Sequence, residues 1–178
     1  ASMITQGEEV LLHLLGDKQG DGPQFHALNV MTLAMLLGKT AGFSEPDLAE
    51  LALGALAHDI GKAKVPVHIL KAKARPKHEE DFYREHVSFG HKLAGESGVF
   101  GPLATSIITD HHECLDGSGW PARKKNITPA ATIVALANRY DRLCSPESPE
   151  REALMPSEAL ARIFKFEAGK FDKFYLSL

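Results

Sequence analysis

LALGALAHDIGKAKVP, residues 51–66, starts as an apolar helical run and ends in four groups suited to metal or phosphate: His58, Asp59, Gly61 and Lys62. Folding alone would be satisfied by Leu or Ala at the end of such a run. Ser44, Pro46 and Asp47 open this helix, and Leu48, Leu51, Leu53 and Leu56 carry its apolar face to His58.

Outward from this stretch, apolar residues recur with helical period and no alternating strands stand out, so the fold class is all-α. Thr5 with Glu8 reads as a capping box for a helix through Leu11, Leu12 and Leu15. Pro23 begins a second helix, with Phe25, Leu28, Met31 and Leu37 inward, which Gly38 ends. Further helices are expected over 79–95 and 102–112, then from Thr128-Pro129 through Ile133, Val134 and Ala137 to Leu143. Two shorter ones follow, over 156–166 and from Phe171 onward. Segments 62–77 and 113–128 read as long loops, which in compact domains are often functional.

The 178 residues, 44% hydrophobic and 24% charged with a formal net charge of −3, suit one domain with a sizeable core and give no basic surface for a nucleic-acid polymer. Two cysteines, Cys114 and Cys144, make no disulfide framework, so a reducing compartment fits. No apolar run approaches the ~18 residues of a membrane span, and the start lacks a charged and then apolar leader. The expectation is a cytoplasmic protein without membrane insertion. Ala1-Ser2-Met3 reads as an expression remnant, and the chain as a piece of a longer regulator. The expected organisation is a single domain over 1–178: an N-terminal helix and linker over 1–22, a core over 23–145 and C-terminal helices over 146–178.

Five of the nine histidines, His26, His58, His86, His111 and His112, fall at helix ends or on core faces of four different helices. A lone His on an apolar face is usually a hydrogen-bonded core residue. Histidines that converge from four helices, with Asp59 as a shared carboxylate, instead form a ligand set suited to Fe, Mn, Zn or Ni. His13, His68, His78 and His91 read as surface or packing residues.

The order of these residues carries a resemblance. His26 is followed by HDIGKAKVPVHIL from His58, HVSFGHKL from His86, HHECLDGSGWP from His111 and ALANRYDRL from Ala135. This pattern resembles the HD superfamily of metal-dependent phosphohydrolases, and more closely its HD-GYP branch, the cyclic di-GMP phosphodiesterases. The likeness implies a bundle of about six to eight helices with the metal site in its core. It also implies up to two divalent ions, Fe or Mn, with Zn, Ni, Mg or Co as alternatives. Asp59 would bridge them; His26, His58 and Asn138 would complete one position, and His86 with His111 the other, His112 at its edge. The implied reaction is hydrolysis of cyclic di-GMP to linear pGpG or GMP by a metal-bridging hydroxide. Asp59 and Lys62 are the candidate catalytic pair, Lys62 as a point charge on the phosphate; a solvated lysine at a helix end is its plainer reading. Gly117, Trp120 and Arg151 join Lys62 as candidate substrate contacts.

Four positions depart from the family pattern. Asn138 stands where the family has a ligating Asp, which predicts one weaker metal position; a core hydrogen bond is its alternative role. Asp141, one turn on, matches a different acidic position. Trp120 stands where the GYP signature has Tyr, keeping a flat ring but losing a hydroxyl, in a loop whose glycines also suit an ordinary turn. SPESPER, residues 145–151, replaces an Arg-Pro-Tyr-Arg/Lys segment that holds phosphates, so Glu147 and Glu150 stand where cations are expected and Arg151 remains. Arg123, Arg139 or Arg142 could compensate. Gly22 replaces a Glu that supports a third metal. The reading is therefore an enzyme acting on a cyclic dinucleotide, with two alternatives. One is a degenerate signalling module that binds nucleotide or a diguanylate cyclase or response-regulator domain. The other is an HD phosphohydrolase for another nucleotide or phosphate ester.

Overall fold

The computed structural model of the chain describes residues 23–145 and 153–178. The expected helix over residues 5–15, and Gly22, Glu147, Glu150 and Arg151, lie outside the described residues. Within them the fold is helical without strands: α1 Pro23–Thr40, α2 Glu45–Ala57, a 3₁₀ turn Ile60–Lys64, α3 Val67–Lys71, α4 Lys77–Arg84, α5 His86–Ser97, α6 Pro102–Asp110 and α7 Pro129–Cys144. The C-terminal part continues with α8 Pro156–Arg162, a π turn Ile163–Glu167, a 3₁₀ turn Ala168–Lys170 and α9 Lys173–Leu176. No helix among the described residues is long and apolar enough to cross a membrane.

The centre of the bundle is α7. Every side chain from Ala130 to Asn138 is buried, so this helix is enclosed on all sides rather than amphipathic. Thr128 caps it by accepting from the Ala131 N–H at 3.3 Å, as Ser44 caps α2 by accepting from the Asp47 N–H at 3.3 Å. Val30 and Ala34 of α1, Leu48, Leu51 and Ala55 of α2, and Ile107 of α6 pack around α7 in one core cluster. Complete burial of a residue such as Ile107 contributes about 2–3 kcal/mol.

The helix boundaries differ from expectation in three places, each for a packing reason. Gly38 does not end α1: a Cβ there would lie 2.5 Å from Leu51 Cδ2 and 3.2 Å from Leu48 Cδ2, so it is the site of close helix crossing. The helix runs on to Thr40 and stops at Gly42, which takes a left-handed φ of 83°. The expected helix over 79–95 is two, α4 and α5, divided at Glu85, so His86 becomes the first residue of a new helix. The segment 62–77 is not an open loop. It holds the 3₁₀ turn and α3, and Val65 and Ile69 bury against Tyr83 with Leu70 and Phe89 as a second small core.

The C-terminal elements pack on α7 through Leu136, Leu143, Ala159, Ile163 and Phe171. The Arg139 guanidinium donates twice to Glu167, at 2.8 and 2.6 Å. Arg139 is thereby held by this carboxylate, which removes it as a simple replacement for the missing phosphate-binding cations.

Candidate metal centre

Three of the predicted ligands sit at helix ends. His58 follows the last residue of α2, His86 begins α5 one residue after α4 ends, and His111 follows α6. A helix leaves its last four carbonyls without intrahelical partners. Each imidazole uses one of these: His58 Nδ1 donates to the Ala55 carbonyl at 2.7 Å, His86 Nδ1 to Tyr83 at 2.7 Å and His111 Nδ1 to Ile108 at 3.0 Å. A carbonyl oxygen only accepts, so Nδ1 carries the proton and, in the neutral ring, Nε2 presents its lone pair. An apolar helix thus ends in His-Asp because its terminus orients an imidazole.

The three Nε2 atoms converge on Asp59. His58 Nε2 lies 3.3 Å from Oδ2, while His86 Nε2 and His111 Nε2 lie 3.3 and 3.7 Å from Oδ1. His26, from α1, places Nε2 3.9 Å from Oδ2. The donor atoms fall into two groups that share Asp59, each within 4.8 Å: Asp59 with His86, His111 and His112, and Asp59 with His26 and His58. His112 falls in the first group, farther from Asp59 than His86 and His111.

Burial holds two of the rings, His111 and His112, neutral. It lowers His111 from 6.5 to about 4, against the opposing pull of the Asp59 carboxylate, with the neighbouring His58 and His86 rings adding to the drop. His112 is also held well below the usual imidazole value, first by burial and then by His111. Burial alone would raise Asp59, but the neighbouring His58 and His111 rings and the Lys62 ammonium outweigh it and keep the carboxyl well below its usual range. The centre therefore combines the ionised carboxylate of Asp59 with the neutral imidazoles of His111 and His112.

Six buried side-chain polar atoms among the described residues have no hydrogen-bond partner: Nε2 of His58, His86, His111 and His112, Oδ1 of Asp59 and Oδ1 of Asn138. All six belong to the ligand set named from the sequence. Buried polar atoms are normally satisfied, and a cation is the partner that imidazole lone pairs, a carboxylate oxygen and an amide oxygen have in common. The residues present fit divalent metal.

Lys62 donates to Asp59 Oδ2 at 2.5 Å and lies 5.5 Å from the centre of the Tyr83 ring. Burial opposes its charge, but Asp59 wins and raises its pKa. Gly61 fixes this turn, because a Cβ there would overlap the His86 carbonyl oxygen and come within 2.5 Å of the Gly90 nitrogen. No other residue fits between the HDIGK turn and α5.

Trp120 stacks on His112, ring centres 4.0 Å apart and 21° between planes, with the Arg84 guanidinium 5.4 Å from the Trp120 ring centre. A pocket of about 540 Å³ lies beside it, lined by Arg84 and Arg123, by the carboxylates Asp81 and Glu85, and by Gly117 and Trp120 of the loop, with none of the ligand set in its wall. Gly117 sits on the pocket wall with φ 78°, while Gly119 makes the closer approach, a Cβ there overlapping the Cys114 nitrogen and Glu113 backbone. His68, His78 and His91 are exposed, as expected.

Two functional features escape sequence reasoning. Glu113 is 1% exposed and its carboxylate accepts the backbone N–H groups of Ala122 and Lys124, at 2.7 and 2.9 Å, clamping the exit of the GSGWP loop. Asp141 accepts from His26 Nδ1 at 2.7 Å and from Asn29 Nδ2 at 2.9 Å. A Glu directly after HH, and an acid one turn after Asn138, were the available signals.

Comparison with known proteins shows the family. The model of the HD domain family matches residues 9–174. A cyclic di-GMP phosphodiesterase of Pseudomonas aeruginosa is 27% identical over 176 residues, covering 97% of this chain and 42% of the relative. A protein of Vibrio cholerae named 3'3'-cGAMP-specific phosphodiesterase 3 is 30% identical over 139 residues, covering 76% of this chain and 30% of the relative. Among solved structures, an HDG"Y"P protein of Bdellovibrio bacteriovorus superposes with a TM-score of 0.78 at 24% identity, over 95% of this chain and 55% of the other. The chain thus spans less than half the length of these curated relatives. By the extent of the family match and the helical frame that carries it, the chain belongs to the HD domain family.

Proposed function

We propose that this chain is the hydrolytic unit of a metal-dependent phosphodiesterase that cleaves a cyclic dinucleotide, cyclic di-GMP first among them. The observation that carries the reading is the set of six unpartnered buried atoms around Asp59. His86, His111, His112 and Asp59 would hold one ion, and His26, His58, Asn138 and Asp59 a second, Fe or Mn being the expected metals. Bound there, divalent ions supply Lewis-acid polarisation of the phosphodiester and activation of water. Asp59 is the only carboxylate in either group and stays ionised across the neutral range. Lys62, partly exposed beside it, supplies a fixed positive charge where phosphate charge increases. Arg142, whose charge acts on both His112 and Lys62, is a further cation on α7 facing this region.

The pocket beside Trp120 supports a substrate larger than a simple phosphate ester, since about 540 Å³ is within the usual range for small-molecule sites. Gly117 and Trp120 line it as substrate contacts, and Arg151 is proposed in that role from the sequence alone. The relatives' names cover both cyclic di-GMP and cGAMP, so the identity of the second base is part of the test.

The test is chromatography of products after anaerobic incubation with Mn(II) or Fe(II) and each cyclic dinucleotide, with Asp59→Ala as blank and Asn138→Asp alongside. Linear dinucleotide from the parent chain, absent from the blank, is the expected outcome. Asn138 favours a second reading, a binding module for nucleotide or a signalling partner, because a neutral amide is a weaker donor than the family's carboxylate. Product from Asn138→Asp alone would favour that reading, and product from neither would end the phosphodiesterase proposal.

A further inference from the structure

We propose that Asp141 is a positioning residue which, through His26, supplies to the second metal position the negative charge that Asn138 leaves out. The inference rests on the metal reading of the site given above. Asp141 and Asn138 lie one turn apart on α7 and so face the same side. Asn138 contributes a neutral oxygen, and Asp59 is shared with the other ligand group. Asp141 is the next carboxylate outward, separated from the position by one imidazole ring.

The geometry is that of a carboxylate orienting a ligand. Asp141 Oδ2 takes the His26 Nδ1 proton at 2.7 Å, which leaves the lone pair on Nε2, and that atom lies 3.9 Å from Asp59 Oδ2. His26 therefore stands between two carboxylates, with its acceptor nitrogen on the side of Asp59. Asn29, one turn after His26 on α1, donates to Asp141 Oδ1 at 2.9 Å and fixes the rotation of the carboxylate. The Asp141 side chain is only 5% exposed, so its charge acts across the ring with little screening by water. A carboxylate on the far nitrogen makes an imidazole a more basic ligand, and its loss costs about 10- to 100-fold in metal affinity. A merely structural role for Asp141 would stabilise the α1–α7 packing and leave the two metal positions unequal in the same way as before.

The experiment is calorimetric titration of the chelator-treated chain with Mn(II), with bound Mn(II) counted by electron paramagnetic resonance. The parent is compared with Asp141→Asn, Asn138→Asp and the double variant, and melting in chelator reports folding. The expected result is that Asp141→Asn weakens the weaker class of site about 10- to 100-fold, spares the tighter class, and is rescued by Asn138→Asp. Unchanged binding in Asp141→Asn, equal weakening of both classes, or failed rescue in a folded double variant would each overturn the inference. Should Asp141→Asn not fold, Asn29→Ala, which removes only the N–H that fixes the carboxylate, must weaken the same class by a smaller factor. No Mn(II) binding by the parent would instead defeat the metal reading itself.

Discussion

Acidifying the metal-free chain from about pH 7.5 to about pH 5 should cost about 2 kcal/mol of stability through His111 alone. Its folded pKa is lowered from 6.5 to about 4, first by burial and then by the neighbouring His58 and His86 rings. Between those two values the unfolded chain binds a proton that the folded chain refuses, so stability is full above about 6.5 and falls as pH drops towards 4. At about pH 5 the unfolded ring is almost fully protonated and the folded ring mostly neutral, a difference of about 1.5 pK units at 1.36 kcal/mol each. His112, lowered for the same first reason, adds loss of the same sign. Asp59 contributes outside this window: its folded pKa is depressed below 3.8, so its stabilisation is lost only at more acid pH. The assay is urea unfolding followed by circular dichroism at the two pH values, in chelator, for the parent and His111→Gln. The variant should lose about 2 kcal/mol of the pH dependence. Equal pH dependence in both proteins would refute the reasoning that burial holds this ring neutral.

Two further substitutions probe the frame. Gly61→Ala should destabilise the chain by about 3 kcal/mol or prevent folding, because the new methyl overlaps the His86 carbonyl; a melting temperature within a few degrees of the parent would contradict this. Glu113→Gln weakens two charge-assisted bonds to Ala122 and Lys124, so it should cost about 2 kcal/mol and disturb the Trp120–His112 stack; an unchanged tryptophan emission spectrum would show that the clamp does not hold the loop.

The all-α class was legible in the sequence from its helical periodicity, while several helix boundaries were not. The structure brings together His26, His58, Asp59, His86, His111 and His112, which the sequence singled out because ligand chemistry restricts the residue type at each position. The ends of α2, α6 and α7 were near expectation because Ser44, Thr128 and the flanking prolines act locally. What remained hidden depends on tertiary contact. Gly38 looks like a helix stop and is a crossing point, since the decisive neighbours, Leu48 and Leu51, come from another helix. The break at Glu85 has no Gly or Pro to mark it, and the His86–Tyr83 hydrogen bond that occupies it is invisible as a pattern. Asp141 pairs with a ring 115 residues away, and Arg139 with Glu167 28 residues away. No local propensity encodes either pairing.

We propose above all that the residues around Asp59 form a metal centre. The most direct test is the metal content of chain purified anaerobically, by elemental mass spectrometry, for the parent and for a folded Asp59→Ala variant. Divalent Fe or Mn is expected in the parent, up to about two ions per chain, with loss of that metal in Asp59→Ala. Equal metal in both proteins, or none in the parent after loading with Fe(II) or Mn(II), would contradict this proposal.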